Sequence, residues 1–513
     1  MVSFWYYTIN MEENTLFQNP QSQDQAVSQS PPLSNQGNPP PESPSQQPSS
    51  QPVFPPSSSP SPAPEASSPP PPPPEEGSLS RFSTSFPTII KIAVGAIVII
   101  LVLIIFFGVV VPFLSKGKEK NAEISYWGLW EDQNILKPVI DDFNKKYPNI
   151  KVNYTKQDIK QYREKLTTRI QNGTGPDVFL FHNTWLPMFS DVLLPVPDNV
   201  ISKKDFESSF YPVAKKDLEK NAAIYGIPTE IDTLSLYTNR EIFESAGVKV
   251  PDNWQDFINI SRQLTVVDEA GRIKTAGASL GTFDNINHAP DIISMLFVQN
   301  GANIRNLSST SRKASDALEF YTSFAKGDQK VWDSTLEQSM LAFAKGELAM
   351  YFGYSWDYFI IKSINPDFKF DIHPVPKIEN RDITIASYWA SGVSSKTKYQ
   401  KEAFLFLKFL TSEETQEKLF TIESKTRLFG EPYPRINLLG KLKGSVAYPF
   451  VSQAKRADSS FFASDTYDDG LNSRMNVYLG NAVRSINSEN TSAETAISTL
   501  SEGVSQILSQ YGQ

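Results

Sequence analysis

The sequence predicts a two-lobed α/β domain carried behind one membrane-spanning helix and a structureless tail. Three observations predict it. Between Ile92 and Leu114 the chain runs 23 residues without a charged or strongly polar side chain. Before that run Pro, Ser and Gln dominate; after it the mixed composition of a folded protein sets in. Beyond residue 121, short apolar strands alternate with amphipathic helical stretches, the pattern of a sheet flanked by helices.

Residues 1–87 hold 21 of the 38 prolines, including the run Pro69 to Pro74. Such a stretch buries too little apolar surface to offset chain entropy. It is predicted to be disordered and partly polyproline II. It acts as a passive spacer or as a docking site for a proline-reading partner. The opening Met1-Val2-Ser3-Phe4-Trp5-Tyr6-Tyr7 is apolar, unlike the polar stretch that begins at Met11, and Met11 is an alternative start.

Residues 88–114 are predicted to form a transmembrane helix, with 115–121 as a linker. The 23-residue run, as a helix, spans about 35 Å, enough to cross a hydrocarbon core of about 30 Å. Apolarity on every side argues against a core helix. The bulky Val109-Val110-Val111-Pro112-Phe113 and the distance from Met1 argue against a cleaved signal peptide. Lys116, Lys118 and Lys120 follow the helix, and only Arg81 and Lys91 lie close before it. Charge alone therefore leans toward a cytoplasmic C-terminal side.

From Asn121 onward there are 43 Lys and Arg against 48 Asp and Glu, a net charge of −5. No basic cluster stands out, which argues against a nucleic-acid partner. Cysteine is absent, so thiol catalysis, disulfides, cysteine metal sites and a lipid-bearing cysteine are excluded. His182, His288 and His373 are too far apart for a histidine metal motif, and no metal or cofactor is expected.

The domain opens as β-α-β. Ile124 to Trp127 reads as a strand, and Ile135, Leu136, Val139, Ile140 and Phe143 fall at helical spacing until Tyr147-Pro148-Asn149. Ile150, Val152 and Tyr154 alternate as a strand does. Tyr162, Leu166 and Ile170 mark a second helix ending at Gly173, and Asp177 to Phe181 a buried strand. A strand at Leu234–Tyr237, a helix at Arg240–Ala246 and a helix start at Trp254 come next. Further helices are predicted at Ala314–Ala325, Thr335–Lys345, Lys401–Leu410 and Ala493–Leu508, with a strand at Leu348–Phe352. The alternation implies mostly parallel sheets, and the length suits two lobes better than one.

Six segments, in order, carry a resemblance. They are Asp142-Phe143-Asn144-Lys145-Lys146-Tyr147-Pro148-Asn149-Ile150-Lys151-Val152, Gly173-Thr174-Gly175-Pro176-Asp177-Val178, and Tyr225-Gly226-Ile227-Pro228 followed by Leu236-Tyr237-Thr238-Asn239. Next come Ala246-Gly247-Val248 through Pro251-Asp252-Asn253-Trp254, then Phe343 to Met350, then Glu402-Ala403-Phe404 to Phe409-Leu410-Thr411-Ser412. Together they resemble the extracellular solute-binding proteins of ABC importers, in the carbohydrate-binding, maltose-binding-protein-like branch. The resemblance covers essentially everything after the apolar run and nothing before it.

The resemblance implies a periplasmic-binding-protein-like fold over 122–513. Lobe 1 would comprise about 122–234 and 388–450, and lobe 2 about 238–386 and 460–513. Two or three crossing segments form the hinge, with Thr233–Tyr237 and Ser387–Val393 as candidates. It implies a monomeric, non-enzymatic receptor that captures a sugar or oligosaccharide and delivers it to an ABC permease. Ligand must be caught outside, so the resemblance places the C-terminal domain extracytoplasmic and the tail cytoplasmic, against the charge count. The membrane helix would replace the acylated cysteine that many relatives use. Alternatives are a sensor without transport, or a receptor for a peptide, polyamine or metal ion. Nothing in the sequence marks a glycosidase carboxylate pair.

Sugars stack their C–H faces on aromatic rings and pair their hydroxyls with planar polar groups. Open α/β sheets bind ligands beyond strand ends. The aromatic residues at such positions are Trp127 and Trp130, Trp185 with His182 and Asn183, Tyr354 and Trp356, and Tyr388 and Trp389. Asp232 matches a family position that often carries a cleft acid, and Glu230 lies beside it; the alternative for both is a hinge hydrogen bond. Trp254 and Trp332 read as packing, and Asp177 as a turn holder. The Asp465–Gly470 cluster reads as a solvated loop, with the cleft or calcium as alternatives; it lacks EF-hand spacing.

Overall fold

A computed structural model describes residues 86–106, 121–378 and 380–513. The chain divides into two units, residues 1–116 and 117–513. In the first, helix α1 spans Phe86–Ile105. Its large apolar side chains from Val94 to Phe106 are all exposed, between 45% and 62%. Among the described residues no helix is long and apolar enough to cross a membrane. Residues 107–114 of the predicted membrane helix, the tail up to residue 85 and the linker lysines lie outside the described residues.

The second unit begins with β1 (Ala122–Gly128), α2 (Gln133–Lys146), β2 (Ile150–Lys156), α3 (Tyr162–Gln171) and β3 (Val178–His182). Alternation along β1 buries Ala122, Ile124, Tyr126 and Gly128 on one face. The predicted apolar stripe of α2 is buried from Ile135 to Phe143. All five residues of β3 are buried, as a strand covered on both faces requires. Asp177 holds the turn before β3: its carboxylate accepts from Ser125 N (2.8 Å), Ser125 Oγ (2.9 Å) and Thr397 Oγ1 (2.6 Å).

The chain then runs through β4 (Ile227–Pro228), β5 (Asp232–Thr233) and β6 (Ser235–Asn239). After the helices Arg240–Ala246 and Trp254–Leu264 come β7 (Val266–Val267), β8 (Ile273–Ala278) and α4 (Ala289–Asn300). Next are β9 (Leu348–Gly353), α5 (Ser355–Ile364), β10 (Phe370–His373), β11 (Thr384–Ser387) and β12 (Trp389–Val393). The remainder includes α6 (Glu413–Glu423), β13 (Ala457–Asp458), α7 (Leu471–Ser488) and α8 (Ala493–Gln510).

Two five-stranded sheets result, ordered β2-β1-β3-β12-β4 and β10-β6-β9-β8-β7. Each has its own buried core. One core gathers residues between Ile124 and Ile231 and between Ala386 and Ala454; the other, residues between Leu234 and Ile385, with Phe450 and Phe461 to Leu508. The sheets are mixed, not mostly parallel. In the first, β1 pairs parallel with β2 and β3, while β12 runs antiparallel to β3 and β4. In the second, only β8 and β9 are parallel. The reason is topological: strands that leave or re-enter a lobe through the junction run against the βαβ units already there.

A three-stranded sheet, β13-β11-β5, joins the lobes. Asp232 and Thr233 pair antiparallel with Ser387 and Ala386, and Thr384 and Ile385 pair parallel with Ala457 and Asp458. Two of these crossings overlap the predicted ones. The third, at Ala457–Asp458, had no signal in the sequence.

The predicted helix Thr335–Lys345 is shorter, Ser339–Ala344. Asp333 Oδ1 accepts from Thr335 N (2.8 Å) and Thr335 Oγ1 (2.6 Å), which folds the first residues into a turn instead. Trp254 and Trp332 are buried, donating to Gln299 Oε1 (2.7 Å) and Asn285 Oδ1 (3.2 Å).

Gly277 on β8 sets how closely the helix Trp254–Leu264 approaches the sheet. A Cβ there would lie 1.7 Å from the Ser261 carbonyl oxygen. Gly277→Ala is therefore expected to cost about 1–3 kcal/mol or more by overpacking, read as a lower urea midpoint. An unchanged midpoint would mean that the helix yields freely.

Candidate functional site

The wall contributed by the first lobe is built where β1 and β3 end and β12 begins. The register sets Trp389 opposite His182. Around Trp389, three rings meet it edge-on: His182 and Trp185 at 5.3 Å each and Trp130 at 5.4 Å. Trp130 is 38% exposed and forms the solvent side of this group. Trp185 is fully buried, and its indole N–H has no partner. His182 contacts Thr184 Oγ1 (2.8 Å) and Ser387 Oγ (3.0 Å), and burial drops its imidazole to about 3, so it stands neutral. Glu230 Oε1 accepts from the Trp389 N–H (3.1 Å). Burial, with Glu431 close by, holds the Glu230 carboxyl well above the carboxylate range.

Strand alternation sends Tyr388 the other way. Asn183 Nδ2 (2.8 Å) and Tyr388 Oη (2.9 Å) both donate to Asp217 Oδ2, and Tyr388 N donates to Asn183 Oδ1 (3.3 Å). These two predicted residues are thus brought together with Asp217, away from the Trp389 group. Trp127 also faces elsewhere, under the Lys165 ammonium at 5.4 Å.

The second wall stands at the end of β9 and the start of α5. Tyr354 and Trp356 stack in near-parallel planes, centroids 4.4 Å apart and 14° inclined. Tyr354 is fully buried, its hydroxyl donating to Asp291 Oδ1 (2.9 Å), while Trp356 is half-buried. Asp232 joins the junction sheet to this wall. Its Oδ2 accepts from Ser355 N (2.7 Å) at the start of α5, and its Oδ1 from Thr233 N (2.8 Å). Burial lifts its carboxyl to about 8, against the Ser355 and Thr233 donors that pull it down.

Behind Trp356 lies a network that the sequence did not mark. His288, at the start of α4 with φ 59°, contacts Asp357 Oδ2 and Ser464 Oγ, each at 2.8 Å, and Asp465 Oδ2 at 3.3 Å. Burial opposes charge on His288, but Asp357 and Asp465 outweigh it and raise the imidazole well above 6.5. The expected solvated loop Asp465–Gly470 is only partly that. Asp468 is fully buried and caps α7, accepting from Asn472 N (2.8 Å) and Ser473 N (3.0 Å). A helix N-terminus with unpaired N–H groups draws a carboxylate inward.

The walls meet on both flanks. Thr184 Oγ1 donates to Asn472 Oδ1 (2.9 Å) on one side, and Phe359 stacks on Phe429 at 4.4 Å on the other. Trp130, Trp389, Trp356 and the junction acids Glu230 and Asp232 thus lie around the seam between two α/β sheets, at their strand ends.

Residues 127–417 match the family model described as bacterial extracellular solute-binding protein. The chain belongs to this family. Among relatives, it is 25% identical over 335 residues to the multiple sugar-binding protein of Streptococcus mutans, covering 60% of this chain and 76% of that protein. It is 27% identical over 199 residues to the arabinooligosaccharide-binding protein of Bacillus subtilis, covering 36% of this chain and 42% of that protein. Solved structures share the fold. A cyclo/maltodextrin-binding protein complexed with maltotetraose superposes with a TM-score of 0.62 at 18% identity, over 76% of this chain and 98% of that one. A solute-binding protein of an ABC transporter from Thermotoga lettingae, bound with alpha-D-tagatose, gives 0.57 at 22% identity, over 75% and 100%. This solute-binding protein therefore has the bilobal α/β fold of its family.

Proposed function

We propose that this protein is an extracytoplasmic receptor that captures a carbohydrate between its lobes and delivers it to an ABC permease. The observation that carries the reading is the pair of aromatic walls: Trp130 and Trp389 on one lobe, Trp356 backed by Tyr354 on the other. Such walls offer flat apolar faces to the C–H faces of a sugar, while Glu230 and Asp232 at the cleft floor supply acceptors for hydroxyls. The sugar-binding names of its relatives support the same class. The β5, β11 and β13 crossings act as the hinge, and ligand that touches both walls favours the closed form. The receptor is a binding protein, not an enzyme, and acts as a monomer.

The helix α1 and the apolar run continuing to Leu114 anchor the receptor, with the proline-rich tail in the cytoplasm. The uniform exposure of apolar side chains from Val94 to Phe106 supports this, since a lipid phase is what would cover them. Protease added to intact cells should digest the C-terminal domain; full protection would overturn the orientation. For capture itself, the full chain in detergent is titrated with neutral mono- and oligosaccharides, amino acids and peptides, following tryptophan fluorescence and melting temperature. A saturable change with a raised melting temperature for a saccharide is expected, because a ligand of the folded state stabilises it. A response confined to amino acids or peptides would overturn the carbohydrate reading.

A further inference from the structure

A small cavity of about 70 Å³ sits in the first lobe, beneath Trp130 and Trp389 and beside α6. Its polar lining holds four carboxyls beside the hydroxyls of Tyr126, Tyr154, Thr229 and Tyr433. Glu131 follows β1, Glu230 follows β4, Glu423 ends α6, and Glu431 lies in the loop beyond. Arg427 is shared by three of these carboxyls. Arg427 Nη2 lies 2.9 Å from Glu431, 3.2 Å from Glu423 and 3.3 Å from Glu131. Burial, and then the Glu431 charge close by, hold the Glu230 carboxyl well up. Three carboxyls thus share one guanidinium, with Lys156 acting on Glu131 and the Glu431 N–H donating to Glu423 Oε2 (2.7 Å). Independently, Gln416 on α6 lines the same cavity, is 6% exposed, and its Oε1 has no hydrogen-bond partner among the described residues. An unmatched buried acceptor in a cavity with surplus carboxylates calls for a donor that carries positive charge. Trp130, Tyr154, Phe420 and Tyr433 supply aromatic walls, which favour an organic cation. Among the described residues no three Asp, Glu or His side chains are grouped to hold a metal ion.

We propose that this cavity receives a protonated amine borne by the ligand, so that the receptor prefers an amino sugar over its neutral counterpart. The inference rests on the carbohydrate reading above. The cavity has room for an ammonium group and its carbon. The ring itself would lie on Trp130, at the cavity mouth. Burial raises the carboxyls of Glu131 to about 8 and Glu423 to about 7, with like charges adding to the effect and Arg427 opposing it. The empty cavity therefore holds a proton near neutral pH, and an ammonium displaces it. Lys156 also faces Glu131, and Asp232 faces Glu230; neither compensates Glu423.

The test is calorimetric titration of the full chain in detergent at pH 7. The probes are a glucosamine oligosaccharide, its N-acetylated form, in which the amine is masked, and the corresponding glucose oligosaccharide. The amine form should bind about tenfold more tightly than the other two. Its heat should vary with the buffer's ionisation enthalpy, because protons are released. Glu423→Gln should erase the advantage and leave affinity for the glucose oligosaccharide unchanged. Glu131→Gln should do the same, and melting curves show that each variant is folded. Equal binding of all three probes, or tighter binding of the N-acetylated form, would overturn the amine proposal and leave the carbohydrate reading intact. Failure of every saccharide would overturn both.

Discussion

Trp389→Ala is expected to remove carbohydrate binding and about 3–5 kcal/mol of folding stability together, whereas Trp356→Ala should remove binding at a smaller cost in stability. The contrast comes from burial. Trp389 is 7% exposed and is the ring on which Trp130, His182 and Trp185 converge. Its removal leaves a cavity bounded by three aromatic rings and β3, a wall too rigid to collapse. Trp356 is half-buried, and its one stacking partner, Tyr354, is held from behind by Asp291. Truncating it exposes the Tyr354 ring and removes an edge contact to His288 (6.1 Å) at the rim of the core, a smaller loss than at Trp389. A centrally placed aromatic contact is worth about 2 kcal/mol or more in a binding site, so affinity should fall about thirtyfold or further. Urea unfolding and fluorescence titration of the two variants separate the effects. Wild-type affinity in Trp356→Ala would move the second wall of the cleft away from α5.

Much of the fold was legible because its strands and helices carry clean periods. The α2 stripe from Ile135 to Phe143 and the turn at Gly173 are local patterns, and the structure follows them. Helix α4 left no such trace. Nearly every residue from Ala289 to Phe297 is buried, so no polar face marks its turns. The mixed strand directions were likewise hidden, since the direction of a pairing is set by which lobe the chain is entering, not by the residues of the strand. For the site, strand-end position singled out Trp130, Trp389 and Trp356; the structure sets the first two in one aromatic group and the third against Tyr354. It could not tell which face of a strand end a side chain takes. Tyr388 and Trp389 are adjacent, yet alternation sends one to Asp217 and the other to the Trp130 ring. His288, Asp357 and Asp465 are brought together by three separate elements, and no spacing along the chain foretells that.

That same network carries the second large effect. Asp357→Ala is expected to cost about 3–5 kcal/mol, the usual consequence of leaving a buried charge without its partner. Asp357 Oδ2 accepts from Tyr351 Oη (2.9 Å) and Tyr354 N (3.1 Å) and meets His288 Nε2 at 2.8 Å, all in a fully buried setting. The pH dependence identifies the charge. A histidine whose imidazole is raised well above 6.5 on folding adds stability that is complete below 6.5 and is lost as pH rises through the raised value. The gap between wild type and Asp357→Ala should therefore be widest below pH 6.5 and narrow as pH rises through the raised value. Asp232 and Glu131, each lifted to about 8, also make stability fall with rising pH, because the folded chain keeps protons that the unfolded chain releases. They are present in both proteins and cancel in the difference. His182, lowered to about 3, works in the opposite direction below pH 6.5 and cancels likewise. A gap that does not narrow at any pH above 6.5 at which the protein stays folded would show that His288 is neutral in the folded protein. A double variant with His288→Ala should cost less than the two single changes added together, since either change alone already removes the 2.8 Å contact the two side chains share.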